Sequence, residues 1–119
     1  MTAEGFFAVG GLTALTHLYL HLCANVTDEV LRELRELTGL TALHLSNATT
    51  MTDVGLRELR ELTALTELNL GGCSSVTDVG LQELTYLTAL TELNLSFCST
   101  SKLGRDALKA AIPGLAISC

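Results

Sequence analysis

A strict repeat constrains the fold of this chain more than any other feature. One phrase begins at Leu12, Leu37, Leu62 and Leu87, and its copies read LTALTHLYLHLC, LTGLTALHLSNA, LTALTELNLGGC and LTALTELNLSFC. A second phrase returns at the same interval as VTDEVLREL, MTDVGLREL and VTDVGLQEL. Self-similarity at a fixed period of this length is typical of repeat proteins, in which each unit packs against its neighbours.

The two halves of each repeat have different hydrophobic periods. Leu18 and Leu20 alternate with other residues, which predicts a short strand. Val30, Leu31 and Leu34 recur at helical spacing, which predicts a short helix. A threonine and an aspartate stand just before each helical run, where they can cap its first N–H groups: Thr27 and Asp28, Thr52 and Asp53, Thr77 and Asp78.

A strand followed by a helix and then the next strand gives parallel pairing. The chain is therefore predicted to be a single α/β domain over residues 1–119, a right-handed solenoid with a parallel sheet on its concave face and short helices on its convex face. Gly55 and Gly80 fall inside helical runs, where glycine costs about 1 kcal/mol against alanine. A close approach of neighbouring turns would explain them.

The repeat boundaries follow from the period. A half-repeat is predicted at 1–11, full repeats at 12–36, 37–61 and 62–86, and a fourth repeat at 87–119. In the fourth repeat we align Leu103 with Val76 and Leu108 with Leu81, after a one-residue insertion. A last helix is then expected from Ala107 to Ala111, stopped by Pro113 and Gly114, with a short strand at residues 115–117.

The pattern L-x-x-L-x-L-x-x-C, formed by Leu15, Leu18, Leu20 and Cys23, resembles the leucine-rich repeat. The cysteine followed by V-T-D-x-G-L is similar to the cysteine-containing subfamily, known from the substrate-binding domains of F-box proteins and from related bacterial and protist proteins. The chain departs from that pattern in having no F-box segment and in carrying Ala48 where the cysteine is expected. The resemblance implies a non-enzymatic domain that binds another protein on its concave sheet.

Charge and composition exclude several other functions. The formal net charge is −6, and the seven lysines and arginines are scattered, so binding to nucleic acid or to an anionic membrane is not expected. No stretch has the roughly 18 apolar residues of a transmembrane helix, and no signal peptide is recognised at the start. The four cysteines are therefore interpreted as reduced thiols of a cytoplasmic protein, with a disulfide between Cys73 and Cys98 left open.

Strand alternation places three rows of side chains on the predicted sheet surface. The rows are His17-Ala42-Glu67-Glu92, Tyr19-His44-Asn69-Asn94 and His21-Ser46-Gly71-Ser96. These positions vary between repeats while the inward leucines hardly change, as expected of a binding surface on a constant scaffold; a solvated face free to drift is the alternative. The predicted partner-binding residues are His17, Tyr19, His21, His44, Ser46, Glu67, Asn69, Glu92, Asn94, Ser96 and Phe97.

Two aromatic residues are candidate contact residues. Tyr19 is the best single one, because a rigid ring with a hydroxyl suits the centre of an interface. Phe97 is the second, in the column Leu22-Asn47-Gly72-Phe97. The alternative for Phe97 is that it packs on the rim of the sheet.

Three other hypotheses are weaker. His17 and His21 are about 13 Å apart on one predicted strand. His44 lies between them on the next strand, so a pair that includes His44 could share a zinc ion with a bound water. Three ligands at about 2 Å would be strained, so surface histidines are favoured and no metal or cofactor is expected. An open sheet offers no pocket for catalysis, so no catalytic residue is predicted. The chain is alternatively a structural segment of a longer array, a natural fragment or a consensus-like design, which self-associates through its ends.

Overall fold

A parallel sheet runs through the part of the chain that the structure describes. The computed structural model describes residues 15–20 and 26–119, and these contain five strands in one sheet with the order β1-β2-β3-β4-β5. The strands are three residues long, at the short end of what the alternating pattern predicts: β1 His17–Tyr19, β2 Ala42–His44, β3 Glu67–Asn69, β4 Glu92–Asn94 and β5 Ala116–Ser118.

The strand register follows the period of the sequence repeat. His17 pairs with Ala42, Ala42 with Glu67 and Glu67 with Glu92, as the first predicted row requires. The second row is also confirmed, with Tyr19, His44, Asn69 and Asn94 in register. The fifth strand extends both rows, because Ala116 pairs with Glu92 and Ser118 with Asn94.

Helices connect the strands on the other side of the sheet. They are α1 Asp28–Leu34, α2 Asp53–Glu58, α3 Asp78–Glu83 and α4 Lys102–Ala111, with 3-10 turns at Leu59–Glu61 and Leu84–Tyr86. The predicted α/β solenoid is confirmed, with the sheet on the concave face and the helices on the convex face. The repeat boundaries within it stay a prediction.

The core is a continuous layer of leucines between sheet and helices. Leu43, Leu68 and Leu93 enter it from the strands, and Leu56 and Leu81 from the helices, each at most 2% exposed. Leu18 of the first strand is half-buried against the same cluster. Because each leucine has a counterpart in the next repeat, burial is shared between repeats, and no single unit could supply it alone.

Threonines cap the helices as predicted. The hydroxyl oxygens of Thr27, Thr52 and Thr77 accept hydrogen bonds from the N–H groups of Val30, Val54 and Val79. The aspartates act differently from the expectation. The carboxylate of Asp28 reaches the next repeat and accepts from the backbone N–H of Thr52 at 2.8 Å.

This contact between repeats recurs along the solenoid. Asp53 accepts from the N–H of Thr77 at 2.8 Å, and Asp78 accepts from the N–H of Ser101 at 2.8 Å. The hydroxyls of the same residues donate to the second carboxylate oxygen. Each aspartate therefore fixes the start of the following helix, a contact that was not predicted from the sequence.

The helical glycines make room for these aspartates. A Cβ atom on Gly55 would lie 2.5 Å from the Oδ1 atom of Asp28 and 2.7 Å from the Cδ1 atom of Leu31. The same clash with a preceding aspartate would occur at Gly80 and Gly104. The predicted close approach is confirmed. We call Asp28 with Gly55, Asp53 with Gly80 and Asp78 with Gly104 the inter-repeat Asp–Gly pairs.

The alignment of the last repeat was wrong. Its helix begins at Lys102 and not at Ala107, because Ser101 caps it through the N–H of Gly104, as Thr77 caps α3. The bond from Asp78 to Ser101 spans 23 residues, whereas the equivalent bond from Asp53 to Thr77 spans 24, so the repeat has lost a residue at this point. Leu103 therefore corresponds to the exposed Val79 and not to the buried Val76, and it is 82% exposed.

The end of the described chain otherwise matches the expectation. Helix α4 ends at Ala111, and Pro113 and Gly114 follow, the latter with φ 93°. The predicted terminal strand is present but lies one residue later, at Ala116–Ser118.

Candidate protein-binding face

Two rows of side chains form the part of the predicted surface that the structure describes. We call them the sheet face: His17, Ala42, Glu67, Glu92 and Ala116 in one row, and Tyr19, His44, Asn69, Asn94 and Ser118 in the other. Period-2 alternation puts both rows on one side of the strands and the leucines on the other. Ala42, also predicted to face outward, is only 5% exposed, because its short side chain lies between longer ones in the row.

Aromatic rings gather at the β1 end of the sheet face. The rings of Tyr19 and His44 meet edge-on, with centroids 4.4 Å apart and planes at 63°. His17, two residues before Tyr19 on β1, also meets its ring edge-on, with ring centroids 6.4 Å apart. Tyr19 remains 52% exposed. It therefore offers a ring that its neighbours hold in place and whose surface is still open to a partner.

A histidine–carboxylate contact joins this aromatic end to the acidic end. The Nε2 atom of His44 lies 2.6 Å from the Oε2 atom of Glu67. This hydrogen bond is the largest of the effects that hold the pKa of Glu67 below its ordinary value of 4.5. Partial burial opposes it, and a side-chain hydrogen bond with Glu92 and the charges of His44 and His17 add to it. Glu67 is therefore ionised throughout the neutral range.

The asparagines of the second row are held by their own turns. The Oδ1 atoms of Asn69 and Asn94 accept hydrogen bonds from the N–H groups of Gly71 and Ser96, both at 2.9 Å. With this oxygen engaged, the NH₂ group is the end of each side chain with which a ligand would pair.

An open groove lies over the last strands. It is lined by His44, Glu67, Asn69, Glu92, Asn94, Ala116 and Ser118, among others, and its volume is about 340 Å³. Ala116 and Ser118 have shorter side chains than Glu92 and Asn94, the residues before them in their rows. Neither residue was predicted to lie on this surface, because the strict period counted from Glu92 overshoots Ala116 by one residue.

Phe97 stands at the rim of the sheet with an unusual backbone. Its φ is 62°, a left-handed conformation shared by Asn47 at φ 65° and Gly72 at φ 78° in the same column. Asparagine and glycine tolerate this region, whereas a bulky side chain is strained there. Phe97 is 87% exposed. The alternative that it packs on the rim is therefore wrong, and its ring has no structural role that offsets the strain.

The third predicted row is only partly described. Ser46 and Ser96 are half-buried at the ends of their strands, where the carbonyl of Ser96 accepts from the N–H of Gly72 at 2.7 Å. His21, the first member of this row, lies outside the described residues, as do Leu22 and Cys23.

Known proteins of similar sequence and structure agree with this geometry. Residues 61–84 match the family model described as Leucine Rich repeat. Internalin C2 of Listeria monocytogenes superposes with a TM-score of 0.68 at 25% identity, over 93% of this chain and 44% of that one. The protein has a leucine-rich-repeat fold. No curated protein sequence matches it.

Two further solved structures share the leucine-rich-repeat fold. Another internalin of Listeria monocytogenes is 21% identical, with a TM-score of 0.58, over 94% of this chain and 36% of that one. A leucine-rich-repeat protein of Leptospira interrogans is 18% identical, with a TM-score of 0.52, over 93% of this chain and 38% of that one. The chain spans less than half the length of each of the three structures.

The two cysteines that follow leucine-rich-repeat strands β3 and β4 are structural. The thiol of Cys73 donates to the carbonyl of Leu45 at 3.1 Å, and that of Cys98 donates to the carbonyl of Leu70 at 3.0 Å. Both are free thiols, so the disulfide that the sequence left open is not formed. Burial raises the pKa of Cys73 to about 11 and also raises that of Cys98. Cys119, by contrast, is exposed.

His17 and His44, the histidines that the structure describes, do not belong to a recognisable metal site. Within residues 15–20 and 26–119, no group of three or more histidine, cysteine, aspartate or glutamate side chains is placed to hold an ion. His44 is engaged with Glu67. In the same described ranges, no helix is long and apolar enough to cross a membrane.

Proposed function

We propose that this leucine-rich-repeat chain is a non-enzymatic protein-interaction module and that its partner binds on the sheet face. One observation carries the proposal: a constant layer of buried leucines supports an open surface whose side chains change along the sheet, with histidine, tyrosine and alanine on β1 and β2, glutamate and asparagine on both β3 and β4, and alanine and serine on β5. Leu43, Leu68 and Leu93 are all buried, whereas His44 and Asn69 occupy one position of the row beside them. Fold membership adds support, because leucine-rich-repeat proteins generally bind other proteins.

Exposed aromatic residues at both ends of this surface support the same function. Tyr19 lies at one end and Phe97 on the rim at the other, and aromatic residues are enriched among those that dominate binding energies. The strained backbone of Phe97 also supports a binding role, because strained residues cluster at functional sites and this exposed ring contributes little to packing. We include Ser46, Ser96 and His21 in the proposed contact set from the sequence rows alone.

The test is affinity capture from a lysate of the source organism, read by mass spectrometry. The bait would be the full chain, a sheet-face variant with Tyr19→Ala, His44→Ala and Asn69→Ala, and a helix-side variant with Val54→Ala, Arg57→Ala and Val79→Ala. All three control positions are exposed on helices. Circular dichroism would check that each bait is folded. We expect a partner that the full chain and the helix-side variant capture and the sheet-face variant does not.

Equal capture by all three baits would place the contact surface elsewhere. The second candidate function is then a structural segment that joins other repeats end to end. It is favoured by length, because the chain covers only 44% of internalin C2. Sedimentation velocity over a wide concentration range tests it, since a segment that stacks through its ends must self-associate.

Membership of the cysteine-containing subfamily and residence in the cytoplasm are further proposals. The positions of Cys73 and Cys98, each hydrogen-bonded as a thiol to the preceding repeat, support the former. A zinc site at the histidine end is the least favoured candidate, because His44 already contacts Glu67. Zinc titration with His44→Ala as the control would decide it, and binding weaker than about 10 μM would end the idea.

A further inference from the structure

Two carboxylates are neighbours in one row of the sheet face. Glu67 on β3 and Glu92 on β4 are register partners, so their α-carbons are separated by about 4.8 Å, the spacing of adjacent strands. Like charges directly opposite one another on adjacent strands destabilise a sheet. The fold does not require this pair, because the same row accepts alanine at positions 42 and 116.

Cationic side chains are absent from this face. All seven lysines and arginines of the chain lie within the described residues, and all belong to the helices and the turns that end them: Arg32, Arg35, Arg57, Arg60, Lys102, Arg105 and Lys109. The convex side therefore neutralises part of its own charge, with Arg35 bonded to Glu58 and Arg60 near Glu83. The sheet face has only histidine near Glu67, and Glu92 is exposed.

The groove beside Glu92 supplies further acceptors in an open trough. Ser118, which lines the groove together with Glu92 and Ala116, carries a hydroxyl. Five strands at about 4.8 Å spacing make a face about 19 Å wide, which an extended segment of about six residues would cross at about 3.3 Å per residue. An ammonium or guanidinium group needs several oxygen acceptors, and this end of the groove offers two carboxylates and a hydroxyl.

We propose that the sheet face binds an extended, lysine- or arginine-bearing segment of a partner protein, with one cationic side chain seated between Glu67 and Glu92. The inference rests on the proposed function, and it adds the chemistry of the partner. Charge complementarity carries the inference. The sheet face has two adjacent carboxylates and no lysine or arginine, because every lysine and arginine of the chain lies on the helix side. In the free protein Glu67 is already paired with His44 and hydrogen-bonded to Glu92, so the cation would add a partner of opposite charge beside Glu92, where the sheet face has no lysine or arginine.

The test is a selection from a displayed library of random dodecapeptides on the full chain. The best peptides would be measured against a variant with Glu67→Gln and Glu92→Gln, and against one with Glu36→Gln and Glu61→Gln. The control pair also occupies equivalent positions in successive repeats, is exposed on the convex side and changes the net charge equally. Thermal unfolding would confirm that both variants are folded.

We expect selected peptides to be rich in lysine or arginine, and their affinity to fall about tenfold in the Glu67/Glu92 variant with less than a twofold change in the control. Peptides that lose binding to the Tyr19, His44 and Asn69 variant but lack basic residues would overturn the inference and leave the proposed function standing. If basic peptides lose the same affinity for both glutamine variants, their binding is non-specific charge attraction, and the inference is also overturned. If no selected peptide depends on the sheet face, both proposals fail.

Discussion

The carboxylate of Asp53 fills the space that a Cβ atom on Gly80 would need. Asp53 belongs to one repeat and Gly80 to the next, and the carboxylate reaches past the glycine to accept the backbone N–H of Thr77 at 2.8 Å. The Cδ1 atom of Leu56 crowds the same point, 2.7 Å from the ideal Cβ position. Gly80, a residue of poor helix propensity, is thus needed for the hydrogen bond between Asp53 and Thr77.

We therefore expect Gly80→Ala to destabilise the protein although alanine favours helix. The helical gain of about 1 kcal/mol is outweighed by overpacking that costs about 1–3 kcal/mol and by the lost bond to Thr77. Urea denaturation would measure the net change, with the exposed Val79→Ala as control. In a double-mutant cycle with Asp53→Ala, the two changes should be coupled by about 1 kcal/mol or more. Additive effects would contradict the clash.

The strain at Phe97 predicts that some substitutions stabilise the protein. Phe97→Asn should raise the free energy of unfolding by about 1 kcal/mol, because asparagine tolerates the left-handed region and Asn47 already occupies it in the same column. Phe97→Ala should leave stability nearly unchanged, since alanine is also unfavourable there. Chemical denaturation of the three proteins tests this, and equal stability of the asparagine and alanine variants would refute it.

The cysteines should differ sharply in reactivity. With a pKa of about 11, roughly one Cys73 thiol in a thousand is ionised at about pH 8, and the side chain is fully buried. Alkylation of the folded chain, followed by peptide mapping, should modify Cys119 first, Cys98 more slowly and Cys73 last. Denaturant should erase the difference between Cys73 and Cys119. Equal rates in the folded protein would mean that the repeat around Cys73 opens easily.

The contact between His44 and Glu67 predicts a pH dependence of stability. The pKa of Glu67 in the folded protein is below 4.5, so folding favours its ionised form. Its contribution is therefore present above pH 4.5 and is lost as the pH falls through the lower, folded-state pKa. Because Glu67 is partly exposed, the effect should be below about 1 kcal/mol.

The measurement is the difference in unfolding free energy between the parent and Glu67→Gln, from about pH 7 to about pH 3. This difference should shrink below pH 4.5. The exposed Glu61→Gln serves as the reference, and its difference from the parent should stay flat. A Glu67→Gln difference that does not change with pH would show that the hydrogen bond does not depend on the charge of the carboxylate.

The sequence predicted the repeats best where the period is strict. A constant step along the chain fixes which side chains share a row, so the sequence alone predicted Glu67 beside Glu92 and Tyr19 beside His44. The prediction failed where the step changes. The last repeat lost a residue before Ser101. The leucines at 103 and 108 have the same spacing as Val76 and Leu81, which led to the wrong alignment.

Contacts between repeats were less visible in the sequence. Asp28 reads as a cap of its own helix, because capping is local and its partner Thr52 is 24 residues away. A signal was nevertheless present in the sequence. Glycine occurs at 55, 80 and 104, and in each case the preceding repeat carries the aspartate. Val30 occupies the glycine position of its own repeat, and the residue before it at the aspartate position is Ala3. The conformation of Phe97 had no sequence signal beyond its column neighbours Asn47 and Gly72.

The inter-repeat Asp–Gly pairs also bear on how such a chain can change its number of repeats. The two middle units carry both halves, Gly55 with Asp53 and Gly80 with Asp78, so each fits the unit before it and the unit after it. Unequal crossing-over that duplicates or deletes one of them leaves every junction matched. The outer units are not interchangeable in this way, since Val30 offers no space and Lys102 replaces the aspartate. Recombination can therefore lengthen or shorten the solenoid from its middle, while a copied outer unit would arrive with an incompatible junction.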